Sequence, residues 1–262
     1  MMRRGLVAAL VFAATFVALA FLALPIIAVF ARVPPGRLIA QLGNPVVTDA
    51  LVVSLKTTFA AQALILVFGT PTAYVLARRF RGREALVTLV ELPLVLPPAV
   101  AGLGLLAAFG RTGLLHTSIP FTQTAVILAV AFVASPLYVR AAIAAFEAVD
   151  ANVVAASRTL GAGPLRTFFR IVLPLARGGL SAGAALAFAR GIGEFGATIM
   201  FAGSLRGVTQ TLSLAVYAQF DVDFDIALAV SALLIVVSAA LLVTLKWLPS
   251  ISTSHFRFAT SS

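Results

Sequence analysis

Across 262 residues the chain has no cysteine, two histidines and two lysines. Without cysteine there is no disulfide framework, no thiolate metal site and no thiol nucleophile. His116 and His255 stand far from each other and from any acidic cluster, so no metal centre or acid–base pair can be built on them. Neither Lys56 nor Lys246 follows the glycine spacing of a phosphate-binding loop, so no catalytic residue and no ATP site is expected in this chain. Charge is scarce as well. Only 11% of residues are charged against 61% hydrophobic, and the mean hydropathy is +1.08. Those proportions exclude an ordinary soluble domain and indicate an all-α protein embedded in the lipid bilayer. The net charge of +10 is scattered among apolar runs without a basic, aromatic-studded face, so nucleic acid is not an expected partner.

What is present is a series of apolar stretches: 5–31, 51–77, 86–109, 124–139, 180–202 and 226–245. Each is near the ~20 residues a helix needs to cross the hydrocarbon core. The first follows Arg3 and Arg4, as in a secretory signal, but its uncharged run exceeds the about 7 to 15 residues of a signal core, so it is expected to stay as a helix. Six transmembrane helices place both termini on one side. Arg3, Arg4, Arg78, Arg79, Arg81, Arg83, Arg158, Arg166, Arg170 and Arg177 fall on that side, against Arg32, Arg37, Arg111 and Arg206 on the other. By the positive-inside bias both termini are cytoplasmic in a plasma membrane. The chain divides into a first helix with its external loop (1–49), a five-helix core (50–248) and a short cytoplasmic tail (249–262).

Between the fourth and fifth stretches lies "AVDANVVAASRTLGAGPLRTFFRIVLPLARGG". It reads as two short helices around a "GAGP" turn, the second ended by Pro174. Its arginines and apolar positions suit an amphipathic helix lying on the membrane surface, with the arginines meeting lipid phosphates.

Other motifs sit inside the spans. Pro93, Pro97 and Pro98, with Gly102 and Gly104, predict a bent third helix, which suits either a pathway that opens or simple close packing. Glu91 is expected at the interface or paired with an arginine. Lys56, a few residues inside the second helix, either snorkels outward or offers a cation at the outer mouth. In "ALAFARGIGEFGATIMFAG", Arg190 and Glu194 are four residues apart. On one continuous helix they pair and share a stripe with Gly179, Gly183, Ala187, Ala197 and Phe201. That patch either cross-links helices or faces a pathway between them. An ion-coupled secondary carrier or a membrane enzyme also keeps such charges, but no inverted repeat and no convergent polar cluster is seen.

Gly161, nine residues, Ile171, one residue, then Leu173 and Pro174 resembles the cytoplasmic signature of ABC importer permeases, E-A-A, three residues, G, nine residues, I, one residue, L-P. Ala155, Ala156 and Ser157 occupy the E-A-A positions. The glutamate is missing, and Asp150 is a candidate to replace it. "SLKTT" at 54–58, "LPLVLPPAVAGLGLLAAFGRTGLL" at 92–115, the 185–203 block and "TQTLSLAVY" at 209–217 resemble the permeases of molybdate importers, with relatives that move tungstate or sulfate. The resemblance implies a type I ABC importer transmembrane domain. Its partners would be a second copy, two ATP-binding subunits that hold ATP and magnesium, and an extracytoplasmic oxyanion-binding protein. Residues 155–157, 161, 171, 173 and 174 would form the coupling helix, and Arg190, Glu194, Pro97, Pro98 and Lys56 would be candidates for the pathway or its gate.

Overall fold

The computed structural model describes residues 2–247; His255 and the tail 249–262 lie outside the described residues. The helices are α1 (Met2–Arg32), α2 (Pro35–Gln41), α3 (Pro45–Leu76), α4 (Arg83–Val95), α5 (Pro98–Phe109), α6 (Gln123–Glu147), α7 (Ala151–Thr159), α8 (Pro164–Thr167), α9 (Leu173–Ile192), α10 (Gly196–Ala202), α11 (Leu212–Gln219) and α12 (Phe224–Trp247). A π turn, Phe168–Val172, joins α8 to α9. Among the described residues five helices are long and apolar enough to cross a membrane, and α4 with α5 makes a sixth span if the pair is counted as one, bent by 114°.

Local chemistry explains where the helices depart from the sequence expectation. Within the segment expected as external loop, the "GNP" triplet at 43–45 starts α3 six residues before the expected 51: Asn44 Oδ1 accepts the Val46 N–H at 2.9 Å and Pro45 occupies the first turn, where its missing N–H costs nothing. Lys56 is therefore not near the helix start but eleven residues in, about 16 Å along the axis. The expected bend at 86–109 is a full break. Leu96 and Pro97 each precede a proline, are pushed out of the α region (ψ 134° and 132°), and the helix restarts at Pro98. Pro174 does not end the second short helix. The π turn shifts the register first, with the Leu173 N–H donating to the Phe168 carbonyl, so Pro174 falls in the opening turn of α9 and the helix runs on to Ile192. The single helix expected over 180–202 is interrupted at 193–195.

The bundle centre is α3, α6 and α9, packed through small residues. A Cβ on Gly179 would meet the Ala145 Cβ at 2.5 Å, and one on Gly183 the Ala141 Cβ at 2.6 Å. Close backbone approach of this kind drives helix association where lipid removes the hydrophobic contribution. The α3 face packs on α6 around Gly69 and Tyr138, whose hydroxyl is 2.6 Å from Thr70 Oγ1. One end of the bundle is held by Arg83, which donates to the Leu76 carbonyl (2.7 Å) and pairs with Glu84 (2.7 Å) and Glu147 (2.5 Å), and by the rings of Tyr74, Phe146 and Phe168. Glu91 pairs with Arg140 at 3.1 Å, within an α6 that runs eight residues beyond its expected end. The other end is held by Asp49 and Arg206 (3.1 Å).

Candidate functional site

Glycines at 191, 193 and 196 weaken the helix, and Glu194 supplies the alternative partner for its backbone. Its Oε1 accepts the Ala197 N–H at 2.8 Å, anchoring the start of α10, and its Oε2 lies 2.7 Å from Arg190 Nη1. The expected ion pair forms, but across a helix break rather than on one helix face. Gly179, Gly183 and Ala187 keep the predicted packing stripe, while Ala197 and Phe201 belong to α10 and a different apolar cluster. The pair is unequal. The Glu194 side chain is 1% exposed, with both oxygens engaged, whereas that of Arg190 is 36% exposed. This leaves a partly neutralised guanidinium, fixed in direction, with donors open to the bundle surface.

The two broken spans meet. A Cβ on Gly196 would lie 2.5 Å from the Pro98 Cβ, and one on Gly102 would lie 2.6 Å from the Ala197 carbonyl oxygen and 2.7 Å from the Met200 Cβ. Helices α5 and α10 thus touch backbone to backbone just past their breaks, and Pro97 in the break and Pro98 at the restart are both exposed. Beside them α3 crosses α9: Phe59 and Phe188 rings are 4.9 Å apart, and Thr58 lies 3.6 Å from where a Gly191 side chain would start. Lys56, one turn before Phe59, is exposed and has no ion pair among the described residues. Ser54 Oγ accepts the Leu212 N–H at 2.7 Å, so "SLKTT" and "TQTLS" are in contact although 158 residues apart.

Polar atoms that the sequence reading passed over lie in these helices and the adjoining 210–213 segment. Gln62 Nε2, Thr198 Oγ1, Gln210 Oε1, Thr211 Oγ1 and Ser213 Oγ are buried and make no hydrogen bond to protein. The available signal was an amide and several hydroxyls in otherwise apolar runs, which costs free energy unless something pairs with them.

At the arginine-rich end, Asp150 is exposed and its Oδ1 caps α7 by accepting the Asn152 N–H at 2.8 Å. Gly161 has φ +82°, with its N–H donating to the Arg158 carbonyl and the Ala162 N–H to the Ser157 carbonyl, both 3.0 Å. This is a Schellman stop, which favours glycine. Ser157 Oγ, buried, is 3.1 Å from buried Thr167 Oγ1 and locks α7 to α8. Ala155, Ala156 and Pro174 are exposed; Ile171 and Leu173 are half-buried. The turn projects Leu160 (87% exposed) and Leu165 (74%) away from the bundle.

Known proteins match this arrangement. The family described as binding-protein-dependent transport system inner membrane component matches residues 65–248. The molybdenum transport system permease protein ModB of Mycobacterium tuberculosis is 45% identical over 228 residues, covering 84% of this chain and 86% of that protein. The molybdate/tungstate transport system permease protein WtpB of Pyrococcus abyssi is 35% identical over 231 residues, covering 87% and 90%. Among solved structures, a chain of a bacterial alginate ABC transporter, in complex with an alginate pentasaccharide-bound periplasmic protein, has the same fold: TM-score 0.62 at 18% identity, covering 93% of each chain.

Proposed function

The chain belongs to the binding-protein-dependent transport system inner membrane components, and from that premise we propose how it moves its cargo and what drives it. It is a multi-pass membrane permease subunit of an ABC importer, and its cargo is molybdate, with tungstate the near alternative that the WtpB likeness supports. Two copies form the pathway, an extracytoplasmic binding protein delivers the oxyanion, and two ATP-binding subunits holding ATP and magnesium drive the cycle. Both termini and the arginine-rich end face the cytoplasm, a placement supported by the positive-inside bias. The single observation that carries the coupling role is the rigid turn at Gly161 that exposes Leu160 and Leu165, since apolar side chains held out from a bundle end suit a protein partner. Arg190, held by Glu194, and Lys56 supply cations on the α3 and α9 surface, and the paired breaks beside Pro97, Pro98 and Gly196 supply a place to open.

The deciding experiment is reconstitution of this chain with its ATP-binding subunit and binding protein in proteoliposomes. Radiolabelled molybdate should accumulate only with internal ATP, with tungstate competing and sulfate competing less. Uptake that persists without the ATP-binding subunit would point instead to an ion-coupled carrier.

Gly161 gives a sharper check. Nothing lies within 4 Å of a Cβ there, so backbone conformation rather than bulk limits substitution. Gly161→Val should strain the turn by at least about 1 kcal/mol and cut molybdate taken up per ATP hydrolysed by about fivefold. Gly161→Asn, which tolerates positive φ, should stay close to wild type.

A further inference from the structure

The end of α3, the end of α6 and the exposed side of α7 line an open cavity of about 330 Å³, with Tyr74, Arg78, Phe146, Val154, Ala155 and Arg158 among its lining. Two of these six are guanidinium groups. Arg78 stands 4.5 Å over the Tyr74 ring, which fixes its position without neutralising it. Every described acid at this end is already engaged elsewhere: Glu84 and Glu147 with Arg83, Glu91 with Arg140, and Asp150 with the Asn152 N–H. Among the described residues, neither Arg78 nor Arg158 has a carboxylate partner. Ala155, one helical turn before Arg158, is where an acidic side chain would stand against that arginine on the same exposed side of this open cleft. Alanine leaves the wall with two positive charges, an apolar floor and room for an incoming side chain.

We infer that this cavity receives an acidic side chain of the ATP-binding subunit, seated between Arg78 and Arg158, so that the anion which the signature places on the permease comes here from the partner. The inference rests on the coupling role proposed above. Guanidinium forks bind carboxylates in two-point fashion, so the contact adds both strength and register. It also makes docking sensitive to salt, because part of the attraction acts near the surface.

The test is co-purification of the tagged chain with its ATP-binding subunit in detergent, repeated over a salt series. Ala155→Glu supplies an internal anion to the two arginines and should weaken the complex about tenfold and flatten its salt dependence. Ala155→Gln, equal in size and uncharged, should bind as wild type, which separates charge from bulk. Arg158→Glu should weaken binding at least as much as Ala155→Glu. Unchanged or tighter binding by Ala155→Glu overturns the inference while leaving the coupling role standing. If the wild-type pair does not associate at all, the coupling role itself fails. If the Arg158→Glu defect appears only in nanodiscs containing anionic phospholipid, the occupant is a lipid headgroup and the inference is likewise overturned.

Discussion

Arg190→Gln is expected to reduce molybdate uptake by more than tenfold, a barrier increase above about 1.4 kcal/mol, while the protein still folds and still binds its ATP-binding subunit. Glutamine keeps an N–H donor for Glu194 Oε2 but removes the positive charge from the exposed side of the pair. The companion change, Glu194→Ala, should behave differently. It strips the buried Ala197 N–H of its acceptor and removes the carboxylate that holds Arg190, so the loss is about 1–3 kcal/mol of stability. Against the total of about 5–15 kcal/mol typical of folded proteins, that should show as poor recovery from detergent rather than as an intact but silent transporter. If Arg190→Gln also fails to assemble, the pair is purely a brace. Lys56→Gln in the same uptake assay should give a smaller loss that fades at high salt, since Lys56 is exposed and unpaired among the described residues.

Gly102→Ala should be the more damaging of two alanine substitutions made two residues apart in α5. Its Cβ would come within 2.6 Å of the Ala197 carbonyl oxygen, 2.7 Å of the Met200 Cβ and 3.0 Å of the Ala197 Cα. Two of those contacts are backbone, which cannot swing aside, so α5 must move off α10 at a cost of about 1–3 kcal/mol. Gly104 has nothing within 4 Å, and Gly104→Ala should stabilise the helix slightly, by up to about 1 kcal/mol. Thermal unfolding in detergent and uptake in proteoliposomes should both separate the two variants; equal behaviour would show that the two broken spans do not need their close contact.

Where the sequence was readable, the controlling interactions were local. The Gly161 turn depends on residues 157 to 162, all within one stop motif, and its helix-turn-helix form could be read directly from "GAGP". Pro97 and Pro98 announced a disruption by removing backbone donors, although not its 114° size, which depends on α5 finding α10. The pairing of Arg190 with Glu194 was legible from spacing, but the break between them was hidden because apolar composition over 180–202 satisfies a membrane span whether or not the helix is continuous. Glu194 serving as a cap for Ala197 is the detail that decided it. The π turn was not legible, since Pro174 in isolation reads as a stop. Nor was the contact of Ser54 with Leu212, because no periodicity within either segment reports what lies 158 residues away.

That π turn has a mechanical consequence. By carrying the chain past Pro174, it makes 164–192 one rod of 29 residues, about 43 Å long, from the exposed turn to Gly191 and Arg190. The rod is pinned near its middle, where Gly179 and Gly183 press against Ala145 and Ala141. Such a pin is a fulcrum. A tilt of roughly 5° about it swings the Arg190 end, some 15 Å away, by about 1 Å in the direction opposite to the Leu165 end. A push at the Leu165 end would therefore be returned at the Arg190 end with its sense reversed, in a ratio set by where the two glycines sit along the rod.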